Sequence, residues 1–179
     1  FVQIYGLTET APLITINRNR IEYDKLSSFE RAQKLSRAGA PSFGTTMAID
    51  AEGEILARSN TVMAGYWEQP DQTDAAISGG FFHTGDGGII DDDHYVVISD
   101  RKKDVIISGD ENVSSIEVED AIFQHPDVTE VAVIGIASEQ WGESPLAVVV
   151  RADESVTATA VLEFTDGKLA RFKQPKTVE

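Results

Sequence analysis

The chain has 179 residues, of which 41% are apolar and 25% charged, as in an ordinary globular protein and unlike a disordered one. Its 30 acidic residues outnumber its 15 basic ones, and the net charge of −15 argues against a nucleic-acid or anionic-membrane partner, because phosphates attract basic surfaces. The absence of cysteine excludes thiolate metal sites, disulfides and cysteine nucleophiles.

The apolar stretches are strand-sized, such as residues 146–150, and none approaches the ~20 residues that a bilayer-spanning helix needs. We therefore predict no integral membrane segment. No signal peptide is visible, and the sequence opens at Phe1 without an initiator methionine. We expect a cytoplasmic protein and a chain that is a piece of a longer one.

The first half is predicted to form short strands separated by turns. Residues 53–58 follow an acidic turn and are typical of the second arm of a hairpin. Pro70 begins a helical segment that stops at the Gly79-Gly80 pair. Further strands are predicted at residues 81–83, 88–90 and 95–98, the last two separated by an acidic turn.

The second half has longer β-branched runs and helical segments, which predict a compact α+β lobe after residue 104. Ser114 and Glu117 have the spacing of a capping box, and the helix that they begin is expected to end before Pro126. A last helix is predicted to run to Phe172, weakened by Gly167. Strands are predicted at residues 105–107, 130–137 and 146–150.

The first candidate site is the phrase around Thr8 and Glu9. Thr8 could donate to a phosphate oxygen, Glu9 could supply a hard oxygen to Mg²⁺, and Tyr5 offers an aromatic face for a base. The same residues also suit the start of a helix, with Thr8 as the N-cap and Glu9 in the first turn.

The second candidate site is Asp86, which follows Gly85. A glycine allows a sharp turn, so Asp86 is expected at a strand end, where a carboxylate can accept hydrogen bonds from both hydroxyls of a ribose. The alternative is an aspartate that completes a turn through its own backbone. His83 has no neighbouring nucleophile in sequence and is interpreted as a packed, hydrogen-bonded histidine.

The third candidate site is the cationic cluster at residues 101–103. It stands between acidic blocks, since residues 41–98 hold one base and ten acids. Arg101 at a strand end suits phosphate or ribose recognition because its guanidinium is always charged. Lys103 lies where a linker or hinge residue would. The alternative is a solvated turn.

Together these phrases resemble the adenylate-forming (AMP-binding) superfamily, and specifically its fatty-acyl-CoA synthetase branch. The resemblance extends over essentially the whole chain. It rests on YGLTE (5–9), GEI (53–55), VMAGYW (62–67), HTGD (83–86), DRKKD (100–104), ISG (107–109), EN (111–112), IEVE (116–119), WGE (141–143) and ARFKQPK (170–176).

The resemblance implies an α+β protein in two parts. Residues 1–102 would form the strand-rich end of a large AMP-binding domain, and residues 103–179 a small C-terminal domain cut before its catalytic lysine. It also implies a two-step ligase. ATP and a carboxylic acid, a fatty acid in this branch, would give an acyl-adenylate and pyrophosphate, and the thiol of coenzyme A would then displace AMP.

The same resemblance implies roles for individual residues. Tyr5 would lie against adenine, Thr8 would touch the α-phosphate, Glu9 would hold Mg²⁺, Asp86 would bind the ribose diol and Arg101 the nucleotide near the ribose. Lys103 matches the hinge about which the small domain turns. Gly109 matches the glycine that pantetheine approaches. Trp141, Phe172 and Lys176 match positions near the CoA nucleotide in some relatives, although each also suits a packing or surface role.

Some residues depart from the family's pattern. Asp110 stands where relatives usually have a second glycine, and its charge would disfavour CoA. Gln174 replaces a basic residue, and His94 stands at a turn that usually has glycine, which implies backbone strain. The phosphate-binding loop and the terminal catalytic lysine are not in the sequence, so we expect that the 179 residues by themselves do not form an acyl-adenylate.

Three alternatives remain open at this point. The acceptor could be a carrier-protein thiol or an oxygen instead of CoA. The acid could be aromatic. The protein could also be a non-catalytic nucleotide-binding or regulatory relative.

Overall fold

The computed structural model describes residues 2–109, 111–153 and 155–179. The chain separates into two compact units, Phe1–Ile98 and Ser99–Glu179. Both units combine sheets with helices, which confirms the expected α+β class. No helix in the described ranges has the length and apolarity needed to cross a bilayer. The domain boundary after residue 102 stays a prediction, and Asp110 lies outside the described residues.

The first unit begins with a small antiparallel sheet and one helix. The strand order is β1-β2-β3, with β1 (Val2–Tyr5), β2 (Thr15–Arg18) and β3 (Ala40–Pro41). Helix α1 (Ser28–Ser36) starts with a capping box, in which the Ser27 hydroxyl and the Glu30 carboxylate each accept from the other's amide. Buried Asn17 on β2 stabilises the C-terminal end of α1, because its side-chain amide donates to the Arg37 carbonyl at 3.0 Å.

The second sheet of this unit has the order β4-β5-β7-β6, with β8 beside β7. Its strands are β4 (Thr46–Ile49), β5 (Glu54–Arg58), β6 (Ile77–Ser78), β7 (Phe81–Ile90) and β8 (Val96–Arg101). The predicted hairpin is confirmed, because β4 and β5 pair antiparallel and the Asp50 carboxylate between them accepts from the amides of Glu52 and Glu54 at 2.8 Å. Helix α2 (Pro70–Ala76) begins at the predicted proline.

The two strands predicted at residues 81–83 and 88–90 are one strand, β7. The prediction was wrong because Gly85, with φ +74°, does not end the strand. The pairing runs from Glu54 opposite Gly87 to Leu56 opposite His83, so β7 has two more residues than β5 between these pairs. Such a bulge lets the ladder resume after a local bend, and glycine supplies the left-handed conformation that the bend requires.

The acidic turn between β7 and β8 is anchored by a buried arginine. His94 adopts φ +61°, the left-handed conformation expected at a turn that suits glycine. Arg37 donates to Asp91 and to Asp93, both at 2.7 Å. Hydrogen bonds from Lys34 and then from Arg37 lower the pKa of Asp93 from 3.8 to about 2.

The second unit packs two helices on one mixed sheet. The strand order is β10-β9-β12-β11, and β13 pairs parallel with β12. The strands are β9 (Ile106–Ser108), β10 (Glu111–Val113), β11 (Val128–Ser138), β12 (Gly142–Arg151) and β13 (Thr177–Val178), and the helices are α3 (Ser115–Phe123) and α4 (Ala158–Thr165). Their buried core includes Ile106, Val113, Val118, Ile122, Val133, Ala147, Val161 and Leu169. The predicted strands are therefore present, each longer than or shifted from its sequence bounds.

Half of the predicted capping box exists at the start of α3. The Ser114 hydroxyl accepts from the Glu117 amide at 3.3 Å. The Glu117 carboxylate instead accepts from Lys173 Nζ at 2.6 and 2.8 Å. The helix ends at Phe123, before Pro126 as predicted.

The last predicted helix is shorter than expected. It ends at Thr165 and does not reach Phe172. Asp166 already has an extended backbone with ψ 130°, and Gly167 follows with φ +75°. The left-handed glycine stops the helix, and Leu169 reaches the core from a turn instead.

Candidate functional site

Tyr5 and Asp86, predicted separately from the sequence, form one hydrogen-bonded pair. Tyr5 Oη donates to Asp86 Oδ2 at 2.7 Å, although the residues are 81 positions apart. Asp86 is only 6% exposed. An aromatic ring beside a buried carboxylate suits a nucleoside, because the ring can stack on a base while the carboxylate accepts from sugar hydroxyls.

A set of contacts in the second sheet holds Asp86 in place. The preceding Gly85 amide donates to Glu54 Oε1 at 2.8 Å, and the Thr84 hydroxyl donates to the Ile55 carbonyl at 2.7 Å. The Asp86 amide donates back to Thr84 Oγ1 at 3.1 Å. The expected sharp turn at Gly85 is present, but Asp86 lies inside β7, within the bulge, so its placement at a strand end was wrong.

His83 supports the same region. Its Nε2 lies 2.9 Å from Ser78 Oγ, and its Nδ1 lies 3.3 Å from Glu54 Oε2. With both ring nitrogens engaged, His83 is a hydrogen-bonded, half-buried residue, as interpreted from the sequence.

Glu9 lies in a short 3-10 turn, Thr8–Thr10, that follows β1. The N-cap of this turn is Leu7, so the alternative that made Thr8 the N-cap was wrong. The buried side chain that closes the turn belongs to Thr10, whose hydroxyl accepts from the Leu7 amide at 2.8 Å. Thr8 is exposed and Glu9 half-buried, so both remain available to a ligand.

Tyr66 is a site residue that the sequence analysis did not assign. Its hydroxyl donates to Glu9 Oε1 at 2.9 Å. Burial first, and then this bond to Glu9, raise the pKa of the Tyr66 phenol. The phrase VMAGYW (62–67), quoted for the resemblance, was the signal that could have found it. In the described part of the chain no hydrogen bond reaches Glu9 Oε2, so the carboxylate offers a hard oxygen of the kind that Mg²⁺ prefers.

In the second unit, Arg101 and Lys103 flank an exposed turn. Both side chains are exposed, and the turn closes with the Asp104 amide donating to the Arg101 carbonyl at 2.9 Å. Asp100, which the sequence analysis did not single out, is 5% exposed and caps α3. Its Oδ2 accepts from the Ser115 amide at 2.8 Å and from the Ser115 hydroxyl at 3.0 Å.

The four residues assigned to CoA by resemblance meet at one cavity of about 570 Å³. Its lining comprises Ser108, Gly109, Glu111, Trp141, Arg171, Phe172 and Lys176. Gly109 has φ +68°, and its amide donates to the Trp141 carbonyl at 2.7 Å. A Cβ at Gly109 would lie 3.4 Å from the Trp141 ring. The cavity combines aromatic faces with the cations Arg171 and Lys176, which suits a ligand with a base and phosphates.

Comparisons with known proteins identify relatives of this chain. The AMP-binding enzyme C-terminal domain family matches residues 117–179. A 2-methylpropanoate–CoA ligase of Humulus lupulus is 39% identical over 192 residues, covering 97% of this chain and 34% of the relative. A long-chain-fatty-acid–CoA ligase of Escherichia coli O157:H7 is 38% identical over 175 residues, covering 98% and 31%.

The fold also matches solved structures. The crystal structure of ATP-bound MatB from Rhodopseudomonas palustris superposes with a TM-score of 0.86 at 35% identity, over 99% of this chain and 36% of that one. The chain belongs to the adenylate-forming, AMP-binding enzyme family. The resemblance stated from the sequence is confirmed.

The relatives of this AMP-binding family member differ from it in length and from one another in substrate. The chain spans about a third of the length of the curated relatives that it matches. Further relatives are named for different acids: acetate, ferulate and 2-succinylbenzoate. Membership in the family therefore does not identify the acid.

Proposed function

We propose that this chain contributes to an ATP-dependent acid–thiol ligase that forms an acyl-adenylate and then an acyl-CoA. In the first step a carboxylate oxygen bonds to the α-phosphorus of ATP and pyrophosphate leaves. In the second, the CoA thiol loses its proton and bonds to the acyl carbon, and AMP leaves. The observation that supports this most is the buried Asp86 carboxylate held by Tyr5, because it suits a ribose diol beside an aromatic face.

The nucleotide is expected to bind along the residues named by resemblance. The Tyr5 ring would lie against adenine, Asp86 would accept from the ribose hydroxyls, Thr8 would donate to the α-phosphate and Arg101 would contact the nucleotide near the ribose. The half-buried Glu9 would hold Mg²⁺, which supplies positive charge to the phosphates when it is bound.

The cavity at Gly109 is the proposed site for CoA. The absence of a side chain at Gly109 leaves room for pantetheine to approach the backbone, and Trp141 and Phe172 offer faces for adenine. Lys176 would pair with phosphate, helped by Arg171 on the same wall. Glu111 also lines the cavity and would disfavour a phosphate placed beside it, so the phosphates should lie toward the two cations.

Lys103 is proposed as the hinge between the two half-reactions. It stands in an exposed turn, and its own side chain is not packed against the core. The family domains would then meet after residue 102.

The acid is proposed to be a fatty acid, and the enzyme is proposed to act in the cytoplasm. An aromatic acid is the second candidate, favoured by the ferulate and 2-succinylbenzoate in the names of relatives. A carrier-protein acceptor and a non-catalytic role remain further alternatives.

The longest natural polypeptide that carries this sequence should be assayed for ATP–pyrophosphate exchange with fatty acids of graded length, acetate and ferulate. Acid-dependent exchange together with acyl-CoA formation is expected. Exchange without acyl-CoA would replace CoA by another acceptor, and the absence of both exchange and ATP binding would favour the non-catalytic alternative. The preferred acid decides between the fatty and the aromatic substrate.

A further inference from the structure

The contact between Tyr66 and Glu9 joins two segments that are 57 residues apart in sequence. Tyr66 Oη donates to Glu9 Oε1 at 2.9 Å, and the Met63 amide donates to the Glu9 carbonyl at 2.7 Å. The segment 63–66 therefore holds Glu9 by its main chain and by its side chain at once. A carboxylate held at both levels has few rotamers left.

Tyr66 is itself fixed by the helix that follows it. Its amide donates to Thr73 Oγ1 at 2.9 Å, and the same hydroxyl donates to the Gln69 carbonyl at 2.9 Å. Gly65 permits this approach, because a Cβ there would lie 2.8 Å from Thr73 Cγ2. The Tyr66 phenol therefore contacts Glu9 from a turn that is hydrogen-bonded to helix α2.

The direction of the hydrogen bond is set by its chemistry. An ionised carboxylate can only accept, so the phenol O–H of Tyr66 donates to Glu9. It donates to Oε1, while no described residue donates to Oε2. One oxygen of Glu9 is held by the protein and the other is presented to a ligand.

We propose that Tyr66 is a positioning residue for the divalent metal, acting through Glu9 and touching neither metal nor nucleotide. This rests on the proposed role of Glu9 as the magnesium ligand. A ligand carboxylate fixed before the metal arrives loses less conformational freedom on binding, and partners of this kind tune metal affinity.

The test uses the longest natural polypeptide that carries this sequence, saturated with the non-hydrolysable analogue α,β-methylene-ATP. Binding of Mn²⁺, a spectroscopic substitute for Mg²⁺, is measured by electron paramagnetic resonance for the wild type, Tyr66→Phe, Glu9→Gln and the double variant. Loss of a hydrogen bond to a charged group should raise the Mn²⁺ dissociation constant of Tyr66→Phe about tenfold.

Tyr23→Phe is the matched control. The Tyr23 side chain is buried, and its hydroxyl is also hydrogen-bonded, to Arg37 at 3.0 Å, but it does not contact Glu9. Its Mn²⁺ affinity should equal that of the wild type. Equal melting temperatures for Tyr66→Phe and Tyr23→Phe would show that the affinity change is not a loss of folding.

The outcomes separate the two proposals. If the double variant binds Mn²⁺ as Glu9→Gln does alone, the phenol acts through Glu9, as proposed. If Tyr66→Phe binds like the wild type while Glu9→Gln does not, the positioning role is overturned and the metal role of Glu9 stands. If Glu9→Gln also binds like the wild type, the proposed metal ligand itself is wrong. A double variant weaker than Glu9→Gln would give Tyr66 a route that bypasses Glu9 and would also overturn the inference.

Discussion

The two units hold their candidate site residues in different ways. In the first, Asp86 is 6% exposed and bonded to Tyr5, and Glu9 is bonded to Tyr66. In the second, Trp141 is 45% exposed, and Lys103 stands in an exposed turn. Groups fixed before a ligand arrives stabilise charge without reorganising, whereas exposed groups around a cavity can adjust to a ligand that enters and leaves.

The largest effect is expected from a substitution that restricts the backbone of the exposed turn in the second unit. Lys103→Pro fixes φ near −65° and restricts Lys102, so one domain arrangement should be locked. Adenylation should persist. If the arrangement for thioester formation is left about 1% populated, that step should slow about a hundredfold. Single-turnover assays of each half-reaction measure both.

Lys103→Ala is the control for this experiment, since it removes the ammonium and keeps the backbone free. It should retain both steps. Equal loss of both half-reactions in Lys103→Pro would indicate misfolding, and normal thioester formation would exclude a hinge at this residue.

The second-largest effect is expected at the buried Asp86 carboxylate of the first unit. Asp86→Ala should weaken ATP binding about tenfold or more, because two ribose hydroxyls lose a charged acceptor worth about 1.5–3 kcal/mol. Isothermal titration calorimetry with ATP measures the loss. The exposed neighbour Asp92→Ala should leave the affinity unchanged, and an unchanged affinity in Asp86→Ala would return Asp86 to a turn-forming role.

A smaller change is expected at the cavity. Gly109→Ala places a Cβ 3.4 Å from the Trp141 ring at a residue with φ +68°. Alanine in the left-handed region costs about 1 kcal/mol of stability whether or not CoA is bound. If the added Cβ also weakens CoA binding by about 1 kcal/mol, the KM for CoA should rise about fivefold while pyrophosphate exchange is retained. Gly53→Ala, also at positive φ but with open space around its Cβ, is the control for backbone strain alone. Equal KM values in all three proteins would remove Gly109 from the CoA site.

The smallest effect concerns acid stability of the first unit. The pKa of Asp93 is lowered from 3.8 to about 2 by Lys34 and Arg37, so its stabilising pairing is complete above about pH 4 and is lost as the pH falls toward 2. Asp93→Asn should melt below the wild type at pH 5, and the difference should shrink as the pH falls through 2. A constant difference between pH 5 and pH 2 would exclude the ion pairs as its cause.

Local signals predicted the elements of this chain well. Pro70 starts α2, Ser114 caps α3, and the acidic turn at Asp50 joins a hairpin, because each depends on residues near in sequence. The same reasoning failed at glycines, because a glycine with positive φ can either continue an element through a bulge or end it. Gly85 continues its strand through a bulge, whereas Gly167 ends a helix.

The site was predicted as separate phrases, and only the fold shows how each is held. The pairing of Tyr5 with Asp86 spans 81 residues and that of Tyr66 with Glu9 spans 57, so no sequence window contains either. Asp100 was missed for another reason. In sequence it stands beside a cationic cluster, whereas its hydrogen-bond partners lie at a helix start fourteen to fifteen residues later.

The cap that Asp100 places on α3 has a kinetic consequence. Asp100 precedes the proposed pivot Lys103, and Ser115, to which it binds, follows it. If the chain turns about Lys103, these two hydrogen bonds and those of the Ser114 hydroxyl to Asp100 and to the Ser99 carbonyl must open, so the rate of this opening would limit how often the arrangement changes. Hydrogen exchange of the Ser115 amide reports how readily these hydrogen bonds open. Asp100→Ala should speed the exchange, and if Lys103 is the pivot it should also speed the passage between the two half-reactions.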